Sequence, residues 1–133
     1  MFGETYISPN MLAESIVYEL CTSGALDDNI KVVNFALAER RDAVVEQLEA
    51  QIPEAKFVVP GGGYFFWMDL AEGSDTAALL PLAKEEGVAF VAGPDFMIEG
   101  GQESLRLSFA SVPPQDIPEG IGRISRALAR QRA

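Results

Sequence analysis

The 133-residue sequence contains no histidine and a single cysteine, Cys21. The first absence removes Ser-His-Asp triads, Cys-His dyads and imidazole-held metals from within the chain. The second removes a thiolate zinc site and any internal disulfide. No metal site is expected, and a lone thiol fits a reducing, cytoplasmic compartment. Lysine is scarce too: Lys31, Lys56 and Lys84 are all there are, each in or beside a segment that reads as ordinary surface. Ten Lys and Arg stand against 20 Asp and Glu, and the net charge of −10 argues against a nucleic-acid partner, which needs a basic face. It argues equally against docking on anionic lipid. There is no apolar run of the roughly 18 residues that a membrane span requires. The first residues lack the charged-then-apolar pattern of a secretion signal. Chemistry in this chain must use arginine, carboxylates, hydroxyls or backbone groups, or be supplied from elsewhere.

What is present reads as a globular protein: 48% apolar and 23% charged residues, enough chain for one domain over 1–133 with a real core. A helical lead-in over 8–51 precedes an α/β part over 52–133. After an extended lead-in over 1–7, Ser8 reads as a helix cap and Pro9 as the first helical residue. Leu12, Ile16 and Leu20 then recur at helical spacing as far as Thr22, and Gly24 is a natural stop. Cys21, at the end of that helix, is expected to be a small buried hydrophobe. Asp27 and Asp28 open a second, long helix that runs to about Gln51, where Pro53 ends it. Ile30, Val33, Leu37, Val44, Val45 and Leu48 form its apolar stripe. Glu39, Arg40, Arg41, Asp42, Glu46 and Glu49 form a face expected simply to be solvated.

Strands are expected over Lys56–Pro60 and Tyr64–Leu70. The second is apolar on both faces, so both should be covered, one of them by something outside this chain. Trp67 and the phenylalanines beside it read as core or interface. Ser74-Asp75 caps a third helix ending at Gly87, with Pro81 inside it predicting a kink or a late start. Val88–Val91 reads as a strand and 92–101 as a loop. Pro113-Pro114 precedes a final helix from about Gln115 to Arg130, with Pro118 in its first turn and Ile117, Ile121, Ile124 and Leu128 along one stripe. The order α-α-β-β-α-β-β-α predicts an α+β fold, a small, mostly antiparallel sheet of three or four strands covered by helices on one face.

Two features could carry chemistry. Gly61-Gly62-Gly63 lacks the lysine and the strand–loop–helix setting of a phosphate loop, and it leads into a strand; it reads as a turn whose backbone something could approach closely. The stretch from Ser104 to Phe109 alternates strictly. Leu105, Leu107 and Phe109 point one way, while Ser104, Arg106 and Ser108 point the other. Arg106 thus stands between two small hydroxyl residues, with a planar fork of donors that matches a carboxylate two bonds at a time. The residues alone leave it either as an anion site or as a strand arginine that is exposed or paired with an Asp or Glu, and charged residues are mostly of the second kind.

The run from Pro60 to Leu70, then Glu86-Gly87-Val88-Ala89-Phe90-Val91-Ala92-Gly93, then Leu105-Arg106-Leu107-Ser108-Phe109-Ala110 resembles the C-terminal part of pyridoxal-phosphate-dependent aminotransferases of class I/II, fold type I, with the flavour of the aminoadipate-type and MocR-like group. The resemblance covers nearly the whole chain, in order and spacing. It implies a small domain, Arg106 as the grip on the substrate α-carboxylate, and Gly62, Gly63, Tyr64 and Gly93 as borders of the substrate entrance, in the turn before Tyr64 and the loop from Gly93 to Phe96. It implies that an amino group moves between an amino acid and a 2-oxo acid, in an enzyme whose site lies at a homodimer interface. Such enzymes are about three times this length. Their Schiff-base lysine, their pyridinium partner and their phosphate site lie in a larger domain that would precede Met1, and none of Lys31, Lys56 or Lys84 matches the lysine motif. No catalytic residue is therefore expected in this chain, which by itself should neither hold pyridoxal phosphate nor transaminate. The alternatives are a free-standing module that binds a carboxylate or a protein partner, and a structural subunit that dimerises through an apolar face.

Overall fold

The computed structural model describes residues 10–133. The Ser8 cap, Pro9 and the lead-in over 1–7 lie outside the described residues. The chain forms two compact units, 1–36 and 37–133. The elements in order are helix α1 (Met11–Thr22), α2 (Ala25–Gln51), strands β1 (Lys56–Phe57) and β2 (Phe65–Asp69), α3 (Thr76–Glu85), β3 (Val91–Ala92), β4 (Ser104–Ser108) and α4 (Ile117–Arg132). Single 3-10 turns at Gly93–Phe96 and Pro114–Asp116 interrupt the connections on either side of β4. The expected order of elements and the α+β class are those observed.

The first unit holds α1 and the start of α2. Asn10 caps α1, its side-chain oxygen accepting from the Leu12 amide at 3.0 Å. Among the described residues of α1 none is buried. Leu12, Ile16 and Leu20 of its stripe are exposed, as are Ile30 and Val33 early in α2. Cys21 is exposed as well, not the buried hydrophobe its sequence position suggested. Two helix segments alone cannot close a core around a thiol.

The second unit is a four-stranded, wholly antiparallel sheet in the order β1-β2-β4-β3. Strict alternation sorts its side chains. Phe66 pairs with Leu107 and Met68 with Leu105, all buried on one face. Against that face pack Val44, Leu48 and Ile52 from α2 and its end, Leu79 and Ala83 from α3, and Ile117, Ile121, Ile124 and Leu128 from α4. Burying one large aliphatic side chain stabilises by roughly 1.5–3 kcal/mol, so this shared layer is what holds the sheet to its helices.

Several expected boundaries moved. Strand β1 is two residues long because the chain leaves the ladder at Val58, which is exposed. The expected strand at Val88–Val91 appears as Val91–Ala92: the Val88 amide donates to Ala83 O and finishes α3 instead. α3 starts at Thr76, capped by Asp75, and runs through Pro81, so there is no late start. Arg40 is half-buried, not merely solvated: its Nε donates to Val112 O at 2.9 Å. Within this chain the second face of β2 is left open, with Phe65 38% exposed.

Candidate functional site

The sheet face that the helices leave open is set by the same register. Phe65 pairs with Ser108, Trp67 with Arg106, Asp69 with Ser104, and Val91 faces Arg106 from the other side. Directly paired residues in an antiparallel ladder share a face, so Arg106 stands at the centre of a row between Trp67 and Val91. Ser104 and Ser108 flank it along β4, as alternation predicted. They differ in what they do. Ser104 is buried and donates its hydroxyl to Asp69 Oδ1 at 2.6 Å, a charge-assisted bond, whereas Ser108 is exposed and leaves space.

Arg106 differs from every other arginine in the chain. Arg41, Arg123, Arg126, Arg130 and Arg132 each pair with a carboxylate, and Arg40 bonds Val112 O. Among the described residues no hydrogen-bond acceptor reaches Arg106, and its Nε is buried without a partner. A buried donor left unmade costs about 1–3 kcal/mol. What does touch the cation is aromatic. Its Cζ lies 4.0 Å from the centroid of Phe65 and 4.3 Å from that of Phe96, within the range in which a ring quadrupole attracts a guanidinium. Trp67 meets Phe96 edge-on, with centroids 5.7 Å apart at 75°.

The other sequence-predicted residues divide. Tyr64 stands at the rim, its ring 4.6 Å from that of Phe65. Gly93 is buried and opens the 3-10 turn that carries Phe96. A Cβ on Gly93 would fall 2.3 Å from Gly101 O and 2.7 Å from Ser104 Cβ, so that turn lies directly on the start of β4. Gly62 and Gly63 are exposed, and a Cβ on either would meet nothing within 4 Å; Gly63 needs its φ of +78° for the turn into β2. Phe65 and Trp67 were not singled out for the site by the sequence, and Phe96 only as the end of the Gly93–Phe96 loop that the resemblance put at the substrate entrance. The signal for two of them was there: Phe65 and Trp67 share a parity in β2 opposite to that of buried Phe66 and Met68. No local pattern marked the contact of Phe96 with Arg106. Beyond Ser104, the open face ends in a polar cleft of about 620 Å³ lined by Lys56, Asp69, Glu72, Glu103 and Ser104, without Arg106.

Away from this face, α3 and α4 are joined by ion pairs. Glu86, at the end of α3, accepts from Arg126 and Arg130 of α4 at 3.0 and 3.1 Å, and within α4 Glu119 accepts from Arg123 and Arg126 at 3.0 Å each. Hydrogen bonds from Arg126 first, then Arg130, hold the Glu86 carboxyl below its ordinary value, and those from Arg123 and then Arg126 do so for Glu119. These contacts are on the surface and fasten the scaffold, not the site. Among the described residues no group of carboxylates or thiols is placed to hold a metal, and no helix is long and apolar enough to cross a membrane.

Comparison with known proteins places this geometry. The family model for aminotransferases of class I and II matches residues 1–124. The 2-aminoadipate transaminase of Thermus thermophilus is 38% identical over 120 residues, covering 89% of this chain and 30% of that protein. The kynurenine aminotransferase structure from Pyrococcus horikoshii superposes with a TM-score of 0.87 at 30% identity, covering 97% of this chain and 32% of that one. An uncharacterized transcriptional regulator of the helix-turn-helix type, YdfD of Bacillus subtilis, is 27% identical over 119 residues, covering 89% of this chain and 24% of its own. The chain thus spans about a third or less of the length of these relatives.

Proposed function

Because this chain belongs to the class I and II aminotransferases, we propose that it is the C-terminal, small-domain part of a pyridoxal-phosphate-dependent enzyme, in which Arg106 grips the α-carboxylate of an amino acid or 2-oxo acid. The observation that carries the reading is the Arg106 fork, unpartnered among the described residues on the open face of the sheet. An arginine already paired inside the protein would have nothing to offer. This one keeps donors in hand, and held in a fixed place it converts part of the encounter with substrate into a positioned, near-unimolecular event. Tyr64 and Gly93 border the same entrance, and Gly62 and Gly63 form its outer turn. The 2-aminoadipate relative supports the aminoadipate-type grouping, and the cytoplasm is the compartment expected.

Pyridoxal phosphate supplies the electron sink in such enzymes. The described residues of this chain do not fit the task of holding it. Lys31 is exposed and paired with Asp28 at 2.8 Å, and Lys56 and Lys84 are exposed and neither belongs to the row of Trp67, Arg106 and Val91. The part assigned to this chain is recognition, with the cofactor held by a larger domain and a second copy completing the site. The exposed apolar residues of α1 and early α2 support such covering partners. The chain alone is expected to be inactive, and turnover by the pure chain would overturn that.

In the complete enzyme, Arg106→Lys should raise KM for amino acid at least tenfold, because a point charge replaces a bidentate fork. An unchanged KM would remove Arg106 from the site. A second reading, a carboxylate-sensing module without turnover, is favoured by the regulator relative. It predicts carboxylate binding that depends on Arg106 in a native polypeptide that lacks the cofactor lysine; the native mass and its lysine content in source cells discriminate the two.

A further inference from the structure

We propose that Phe96 is a positioning residue: with Phe65 it clamps the Arg106 guanidinium so that Nε is turned inward and the two terminal nitrogens are the donors offered to a ligand. The use of those donors rests on the carboxylate reading above; the clamp does not.

The argument starts from what holds an arginine in place. The other arginines here are fixed by carboxylates or by a carbonyl, which occupy their N–H groups. Aromatic rings fix a cation through its face and leave its edge donors free. Arg106 is held in this second way, by two rings at 4.0 and 4.3 Å. Its Nε is buried and unpartnered. A ligand arriving from solvent therefore cannot take the side edge of the fork, which pairs Nε with one terminal nitrogen. It meets the end, where both terminal nitrogens point the same way.

Phe96 is also placed for this task at some cost. It is 44% exposed, so burial alone does not explain its position. It comes from a 3-10 turn packed backbone to backbone on the start of β4. That turn needs glycine at 93, where a Cβ would meet Gly101 O at 2.3 Å. It also needs Gly101 at φ +77°, where a Cβ would meet Met97 Sδ at 2.8 Å. Trp67, directly opposite Arg106 in the ladder, buttresses the Phe96 ring edge-on. A turn built this tightly delivers one aromatic ring onto one cation.

The test uses the full chain labelled with nitrogen-15, with the Arg106 Nε–H resonance identified by its loss in Arg106→Lys. The expected wild-type signal is displaced by the ring currents and protected from exchange with water. Phe96→Leu should return it towards the position of a free arginine and speed its exchange several-fold, with the amides of Phe66 and Leu105 unmoved. Phe96→Tyr, which keeps the ring, should retain the wild-type signal. A Phe96→Leu spectrum with the Arg106 signal unchanged would overturn the proposal, as would a Phe96→Tyr spectrum that loses it. Titration with glutarate separates the two readings. Terminal-nitrogen signals that move with glutarate, with binding about two- to fivefold weaker in Phe96→Leu, uphold the clamp and its use. A released Nε–H in Phe96→Leu with no response to glutarate in either protein upholds the clamp and overturns the carboxylate reading.

Discussion

Trp67 and Arg106 face each other in register across the β2–β4 ladder, on the side of the sheet that the helices leave open. Trp67 is the sole tryptophan of the chain, half-buried, with Phe96 against its ring. A ligand carboxylate that reaches the Arg106 fork therefore arrives beside the one indole. Intrinsic fluorescence should change saturably when glutarate or 2-oxoglutarate is added. The same titration of Arg106→Ala should be flat. A change of equal size in the variant would mean that the signal arises away from Arg106.

Stability and binding should come apart at Arg106. No hydrogen bond or ion pair reaches it among the described residues, and its Nε is already an unmade donor. Arg106→Met keeps the apolar stem against Trp67 and removes that donor. Its urea midpoint should match or exceed wild type, while carboxylate binding is lost; hydrogen bonds to a charged group are worth about 1.5–3 kcal/mol, or more than tenfold in affinity. A variant that unfolds much more easily would instead make Arg106 a scaffold residue.

Much of this site is legible in the order of its residues. Period-two alternation is a property of the strand backbone, so Leu105, Leu107 and Phe109 against Ser104, Arg106 and Ser108 followed from sequence alone, and the observed burial has that sense for every one of them except Ser104. It is buried because the turn at Gly93 lies on it, with Asp69, 35 residues away, accepting its hydroxyl, and no local pattern encodes either. The same limit hid what Phe96 touches, though the resemblance had put the Gly93–Phe96 loop at the entrance. Its role depends on a turn that crosses to β4, and a segment of Gly, Pro, Asp and Met reads locally as a plain loop. Cys21 failed for a different reason: helical spacing tells which residues share a stripe, not whether anything covers the stripe.

The two glycine features should respond oppositely to a methyl group. At Gly93 a Cβ would fall 2.3 Å from backbone oxygen Gly101 O, which cannot swing aside. Gly93→Ala should destabilise by about 1–3 kcal/mol, as overpacking does, and should loosen the turn that bears Phe96. At Gly62 a Cβ meets nothing within 4 Å, so Gly62→Ala should stay within about 0.5 kcal/mol of wild type. Even Gly62→Asp should fold normally. Urea melts of the variants side by side check this, and a tolerant Gly93 or an intolerant Gly62 would contradict the packing described.

Acid should loosen the ion pairs along α4 before it touches the core. Glu86 and Glu119 hold their protons less tightly in the folded chain than in the unfolded one, because Arg126 with Arg130, and Arg123 with Arg126, donate to the ionised forms. Glu54 is lowered in the same direction, chiefly by a backbone hydrogen bond and then by Arg132. A group with a depressed folded pKa contributes its stability above the ordinary glutamate value of about 4.3 and loses it as pH falls through the folded value. The urea midpoint should therefore be level near neutrality and drop below about pH 4.3. The drop should be shallower in Glu86→Gln, which removes the titrating group that accepts from two arginines. High salt should lower the midpoint at neutral pH modestly, since these pairs lie at the surface, where salt screens them. A Glu86→Gln profile as steep as wild type would show that the acid sensitivity arises elsewhere in the chain.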